Sequence, residues 1–294
     1  MSLAPDLRRT WLFGPGADAR SHQAMADCGA DALIMDLEDF TPDPLRPAAR
    51  AAAVAVLQRW RAAGAVVCVR INALGADGPA DLAAVMPAVP DVVAYPMASS
   101  AAQMHALHAL IDEHERRLGL AVGSTEILPV CETALGVADV RAICAGSARI
   151  RCALLGSEDL ANDLCAERGA DGLELDHARR RFLLDTRAAG IEPVDAPYTY
   201  SDVDGALREA AVARRLGYRC KSLVRTEHAA ALNAALTPDA AAVARARALV
   251  AAFDAARQRG EERALFEGQW VEVPTWRNAR RLIERAQRLA AAHG

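Results

Sequence analysis

The chain has 294 residues, 52% of them hydrophobic, and a formal net charge of -4 at pH 7. That length buries the core of one α/β barrel or of two modest domains, and the mild negative charge, with arginines scattered along helical faces, excludes nucleic acid and anionic membrane as partners. Seven cysteines without a CxxC, several inside apolar runs, fit buried thiols in a reducing cytoplasm, and no signal segment or run of some 18 apolar residues is present. A soluble, cytoplasmic protein with a small-molecule ligand is the expectation.

In chain order, short β-type runs alternate with longer helical ones. The predicted strands are 11–13, 32–37, 66–71, 92–95, 127–130, 152–155, 194–198 and 220–224, and each is followed by a segment with apolar positions at helical spacing. Strict alternation with continuously apolar strands predicts parallel βαβ units closed into a (β/α)8 TIM barrel over residues 1–260. An open doubly wound sheet is the alternative, disfavoured by the strand count and by the lack of GxGxxG after the first strand. Past Gly260 come a Gly268-Gln269-Trp270 turn, Pro274 and an amphipathic run from Trp276 to Ala292, so residues 261–294 are expected to form a C-terminal helical extension, packing on a neighbouring subunit in one arrangement.

In such a barrel the strand C-terminal ends share the catalytic rim. Strand two ends in Asp36, Glu38 and Asp39, strand three in Arg70 and Asn72, strand five in Glu132, and strand six in Glu158 and Asp159. A mouth this rich in carboxylates suits Mg²⁺, which takes one or two carboxylates plus waters and substrate oxygens. Glu132 and Asp159, on adjacent strands, are the best pair of ligands, and Arg70 can stabilise an enolate oxygen. Blander roles exist for each. Asp159 and Thr133 can cap helices, Arg70 can be a structural ion-pair partner, and Glu38 and Asp39 can be a solvated loop. His105, His108 and His114 share one helix with Glu113 and Glu115, lack the HExxH spacing, and read as a solvated face. Lys221 is the only lysine; it can form a Schiff base, although a lysine paired to a carboxylate is the preferred reading.

The stretches LFGPGADARSHQAMADCGADALIMDLED, VRINALGADGPADL, PVCETALGV, LLGSEDLANDL and VARRLGYRCKSLV, in that order, resemble the motifs of the HpcH/HpaI aldolase and citrate lyase β-subunit superfamily. The resemblance runs from about Arg9 to Asn233. It implies a Mg²⁺-dependent carbon-carbon lyase working by retro-Claisen or retro-aldol cleavage on a citryl- or malyl-CoA-like hydroxyacyl thioester or a hydroxy-keto acid, in a homotrimer or hexamer. It implies Glu132 and Asp159 as metal ligands, Arg70 as substrate and enolate contact, and Asp36 and Glu38 as catalytic acids near the metal and its waters. Gly156 and Glu272 follow as substrate contacts, and FGPG with Arg46 and Arg50 as the neighbourhood of the acyl carrier or CoA phosphates. No side chain stands out as the base; a metal-bound water steered by Asp36 or Glu38 is the default.

Three positions depart from the family pattern. Pro96-Met97 stands where a Pro-Lys is common, Lys221 leads into Val224-Arg225-Thr226 where a GK…IHP is common, and Glu272, two residues before Pro274, replaces an Asp. A free keto acid thus stands open beside the thioester. The alternative function is a non-catalytic or regulatory barrel that binds a keto acid or acyl group.

Overall fold

The computed structural model describes residues 3–293. The chain divides into two compact units, one running to Ala234 and one from Ala235 onward. In the first, eight parallel strands close into a barrel in sequence order: β1 (Thr10–Pro15), β2 (Ala32–Asp36), β3 (Val66–Arg70), β4 (Val92–Tyr95), β5 (Glu126–Cys131), β6 (Cys152–Leu155), β7 (Glu192–Asp195) and β8 (Cys220–Leu223). Closure comes from β8 pairing back onto β1, with Lys221 opposite Thr10. Among the described residues no helix is long and apolar enough to cross a membrane.

The fold is the barrel that the strand count predicts. The largest shift is in β7, expected at 194–198. Its start is hidden in the sequence by Glu192, a buried acid that Arg187 and Arg219 pair with at 2.5 and 2.7 Å. Between β6 and the next long helix lies a short helix, Glu158–Asp163, that periodicity did not reveal; six residues are too few to show a period.

Alternation along the strands decides which side chains fill the barrel. Trp11, Ile34, Cys68, Ala94, Leu128, Leu154, Val194 and Cys220 belong to one buried cluster, so even-numbered residues of β2 to β6 point inward. Asp36, Arg70, Glu132 and Gly156 continue that series by one step toward the C-terminal rim. Lys221 and Asp195 have the opposite parity. Fully buried, the Lys221 ammonium lies 2.9 Å from Asp195 and 3.0 Å from Glu209 of the helix Val203–Leu216, and donates to the Ala196 carbonyl. This lysine faces the helical layer as a paired cation, away from the barrel interior where a Schiff-base lysine would act.

The helix Ala101–Leu118 starts with a capping box, Ser100 with Gln103, and stops at Gly119, whose φ of 67° is the left-handed conformation that ends helices. Its polar face is less solvated than its spacing predicts. His105 and Glu113 are exposed, but His114 is buried beside Arg117 and His108 bonds Ser147 Oγ at 2.7 Å. Glu115 is fully buried and accepts from Gly123 N, Thr125 N and both Arg149 Nη groups. Burial pushes its carboxyl up, yet Arg149 and the two backbone donors outweigh this and hold it at about 2. Because the folded value lies below the ordinary 4.5, its contribution is present above pH 4.5 and is lost as pH falls toward 2. Glu115→Ala, which leaves the buried Arg149 guanidinium with Asp112 and the Thr125 carbonyl as its remaining partners, is expected to cost about 3 kcal/mol in urea unfolding at pH 7, and much less near pH 2.

The second unit has its own core, in which Leu249 and Phe253 of the helix Ala240–Gln258 pack with Val271 and Ala279. Those contacts put that helix with the tail, so the division falls at 234/235, where the sequence had placed the barrel's end at 260. A two-stranded antiparallel hairpin, Ala264–Phe266 with Gln269–Val271, turns at Glu267 and Gly268, both at positive φ as a two-residue hairpin loop of this hand requires. The helix Val273–His293 follows, and Trp276 Nε1 donates to Asp254 at 2.9 Å.

Candidate active site

Asp36 and Arg70 are register partners across β2 and β3. Arg70 Nε donates to Asp36 Oδ1 at 2.9 Å and its Nη2 to Oδ2, a bidentate pair. Asp36 has no exposed surface and also accepts from the backbone N–H of Glu38 and Phe40. The acid therefore ties the Asp36–Phe40 loop to the arginine. The guanidinium lies 5.2 Å from the Phe13 ring and 6.0 Å from Phe40, within cation–π reach of both. Burial opposes its charge, but Asp36, Glu38 and Glu132 more than compensate, so Arg70 stays protonated.

Glu38 Oε2 sits 2.7 Å from Arg70 Nη1, yet this buried oxygen accepts no hydrogen bond of good geometry. Burial pushes the Glu38 carboxyl up to about 8; Arg70 opposes the rise, while Asp39, Glu132 and Asp36 add to it.

Glu132 follows β5 directly and is 3% exposed, and its Oε1 accepts the Met97 N–H at 2.8 Å. Met97 adopts a left-handed φ of 48° at the point where its N–H meets the carboxylate. Burial pushes the Glu132 carboxyl up to about 7, with Arg70 and the Met97 N–H opposing and Asp159 and Asp39 reinforcing. Asp159, half-buried in the first turn of the helix Glu158–Asp163, is raised by burial and then by Asp39, against Arg70. No side-chain cap bond is made at that helix start, whereas Thr133 does cap its own helix through Gly136 N. Capping thus accounts for Thr133 and leaves Asp159 without that structural role.

A Cβ on Gly156 would lie 2.6 Å from Glu132 Cβ and 2.7 Å from its Oε2. Glycine is needed there for the carboxylate to reach its position. Gly156→Ala is expected to displace Glu132, leaving a folded barrel that loses most of its metal-induced thermal stabilisation, measurable by melting with and without Mg²⁺.

Arg70, Glu132, Gly156 and Asp159 come together around one cavity of about 300 Å³. Asp36 and Glu38 do not line it. They stand behind Arg70, which separates their placement from a direct contact with a bound molecule. Glu272 is an exposed residue of the second unit, between hairpin and helix. Arg46 pairs with Asp43 at 2.9 Å, and Arg50 with Asp77 and Asp81 at 2.8 and 2.7 Å. Phe13, Phe40, Pro197 and Val224 form apolar lining of the cavity; sequence reasoning named Phe13 within FGPG and Val224 as a departure from the family pattern, gave neither this role, and missed Phe40 and Pro197. Two of the four, Pro197 and Val224, sit just past the ends of β7 and β8, where the rim rule places them without marking them out.

The donor set fits a hydrated Mg²⁺. Four carboxylates, Asp39, Glu132, Glu158 and Asp159, line the cavity against the single cation Arg70 among the described residues, and burial destabilises the charged forms of Glu132 and Asp159, which a divalent cation reverses. Among the described residues no group of three or more His, Cys, Asp or Glu is placed to hold a metal ion. Two carboxylates with remaining positions left to water and substrate suit Mg²⁺ better than a closed protein cage.

The HpcH/HpaI aldolase/citrate lyase family model matches residues 9–226. The chain belongs to the HpcH/HpaI aldolase/citrate lyase family. It is 33% identical over 284 residues to the citrate lyase subunit beta of Leuconostoc mesenteroides subsp. cremoris, covering 95% of this chain and 93% of that protein. Over 317 residues it is 29% identical to an L-malyl-CoA/beta-methylmalyl-CoA lyase of Cereibacter sphaeroides, covering 98% of each. The Mycobacterium tuberculosis protein CitE, solved with magnesium, acetoacetate and coenzyme A, superposes with a TM-score of 0.75 at 29% identity, covering 95% of this chain and 98% of that one. Membership in the HpcH/HpaI family relates this barrel to carbon-carbon lyases of the citrate lyase β and malyl-CoA lyase kind.

Proposed function

We propose that this protein is a Mg²⁺-dependent carbon-carbon lyase that cleaves a citryl- or malyl-CoA-like hydroxyacyl thioester, or a hydroxy-keto acid, by retro-Claisen or retro-aldol chemistry. The observation that carries this reading is the pairing of two destabilised carboxylates, Glu132 and Asp159, with an arginine locked by Asp36 around one cavity. The magnesium-containing M. tuberculosis relative supports it.

Glu132 and Asp159 hold the metal, which supplies Lewis-acid stabilisation of negative charge on substrate oxygens. As the hydroxyl passes its proton to a water in the cavity, the carbon-carbon bond breaks, a carbonyl forms on the departing keto acid, the electron pair moves onto the acyl carbonyl oxygen as an enolate, and return of a proton from water to the enolate carbon completes the acyl product. Arg70 faces this developing charge with a guanidinium whose orientation Asp36 has already fixed, so little reorganisation accompanies the reaction. Phe13 and Phe40, flanking Arg70, keep water from its faces and strengthen its field. Both Asp36 oxygens are committed to Arg70 and backbone donors, so Asp36 is a positioning residue. Glu38, which does not line the cavity, is held at about 8 by burial; it keeps a proton near neutral pH and so leaves the charge of Arg70 uncancelled on that side.

The test is turnover of malyl-CoA, citryl-CoA and a hydroxy-keto acid with and without Mg²⁺. Cleavage that stops in EDTA and returns with added Mg²⁺ is expected; turnover indifferent to EDTA would overturn the proposal.

A further inference from the structure

The cavity has two chemically distinct sides. From the β2 end around to β6 it presents Asp39, Arg70, Glu132, Glu158 and Asp159, with Val130 and Leu154 among them; from β7 through β8 to β1 it presents Pro197, Val224 and Phe13, together with Thr199, whose hydroxyl is already donated to Glu158. A 2-oxo acid held through its carboxylate and oxo oxygens at the first side directs its remaining substituent across the mouth toward the second. Among the described lining residues Arg70 is the one basic side chain; its Nε and Nη2 donate to Asp36, and Nη1, beside Glu38 at 2.7 Å, is the donor left for the enolate oxygen. A second substrate carboxylate would meet hydrocarbon on one side and four protein carboxylates on the other. Neither repays its lost hydration.

Resting on the lyase reading above, we infer that the keto acid this enzyme releases or captures is a monocarboxylic 2-oxo acid with an apolar substituent, and that Val224 and Pro197 set this preference. Each substituent methylene buried against that wall gains about fourfold in affinity, whereas a terminal carboxylate loses affinity at the same place. The activity of the family leaves this choice open, since the relatives named above include both citrate and malyl-CoA type lyases.

Calorimetric titration of the full-length protein in saturating Mg²⁺ tests the inference with a near-isosteric pair, 2-oxopentanoate and 2-oxobutanedioate. The monocarboxylate is expected to bind at least about tenfold more tightly, in line with two buried methylenes, and pyruvate to fall between. Val224→Arg, which adds a cation to the apolar wall, is expected to reverse the order; Val224→Ala, a milder change, should weaken 2-oxopentanoate several-fold and leave 2-oxobutanedioate unaltered. Melting curves identify a variant that does not fold, in which case Val224→Ala decides. Equal or tighter binding of 2-oxobutanedioate by the wild type overturns the inference and leaves the lyase reading standing. Binding of no 2-oxo acid, with Mg²⁺ present, brings down both.

Discussion

Replacing Glu132 with Gln should leave a folded barrel that no longer cleaves its substrate and that, without metal, melts at a higher temperature than the wild type. Burial is the main cause of the rise of the Glu132 carboxyl from its ordinary 4.5 to about 7. Across that window the folded protein keeps a proton that the unfolded chain has lost, so the stability of the metal-free protein falls as pH rises from 4.5 to about 7. Above pH 7 the full cost persists, roughly 3 kcal/mol at 1.36 kcal/mol per pH unit. Glutamine is neutral at every pH, keeps an oxygen for the Met97 N–H, and removes this cost. The metal-free variant should therefore show a shallower fall in stability between pH 4.5 and 7 than the wild type, keeping the share that Glu38 contributes, and melt several degrees higher at pH 8. Adding Mg²⁺ should raise the melting temperature of the wild type and leave that of Glu132→Gln unchanged. Turnover should fall by about 10³ or more, since Lewis-acid stabilisation is worth several kcal/mol. A variant that is less stable than wild type without metal, or that still responds to Mg²⁺, would show that Glu132 is a structural acid.

The parts of this molecule that could be read in advance are those whose signal is local. Each strand is a short apolar run, and Asp36, Arg70, Glu132 and Gly156 stand where such runs end, so position along the chain is enough to put them on one rim. What escaped depends on partners distant in sequence. Glu115 looks like any acid on a helix face, because the arginine that buries it, Arg149, is 34 residues further on. The roles of Asp36 and Glu38 as neighbours of Arg70, not of the cavity, follow from the β2–β3 register, which the sequence does not state. Gly156 reads as part of a motif, but its reason is a steric one, the approach of the Glu132 side chain. For Lys221 the information was present: parity along β8, counted from Cys220, turns it away from the barrel interior. Apolar residues at the mouth were given no lining role because an exposed or half-exposed Phe or Val has no distinctive signature until four carboxylates are seen opposite it.

Arg70 offers the second large effect, and a pair of variants separates its two roles. Arg70→Met alone leaves Asp36 fully buried without its bidentate partner and leaves Glu38 and Asp39 facing one another without a cation. Removing one member of a buried pair costs about 3–5 kcal/mol, so this single variant is expected to unfold at clearly lower denaturant and its activity loss is ambiguous by itself. Adding Asp36→Asn removes the stranded charge. Asparagine keeps an acceptor for one of the N–H groups of Glu38 and Phe40, which bond different oxygens of Asp36, and the double variant should recover part of the lost stability. It should recover none of the turnover, which is expected to stay about 10²–10³ below wild type in kcat, the usual scale for one preorganised group aimed at developing negative charge. Asp36→Asn by itself loosens Arg70 without removing it, so its loss in kcat should be smaller and Arg70→Met should add to it. If the double variant regains turnover together with stability, Arg70 is a structural cation, and stabilisation of the enolate must come from the metal side of the cavity alone.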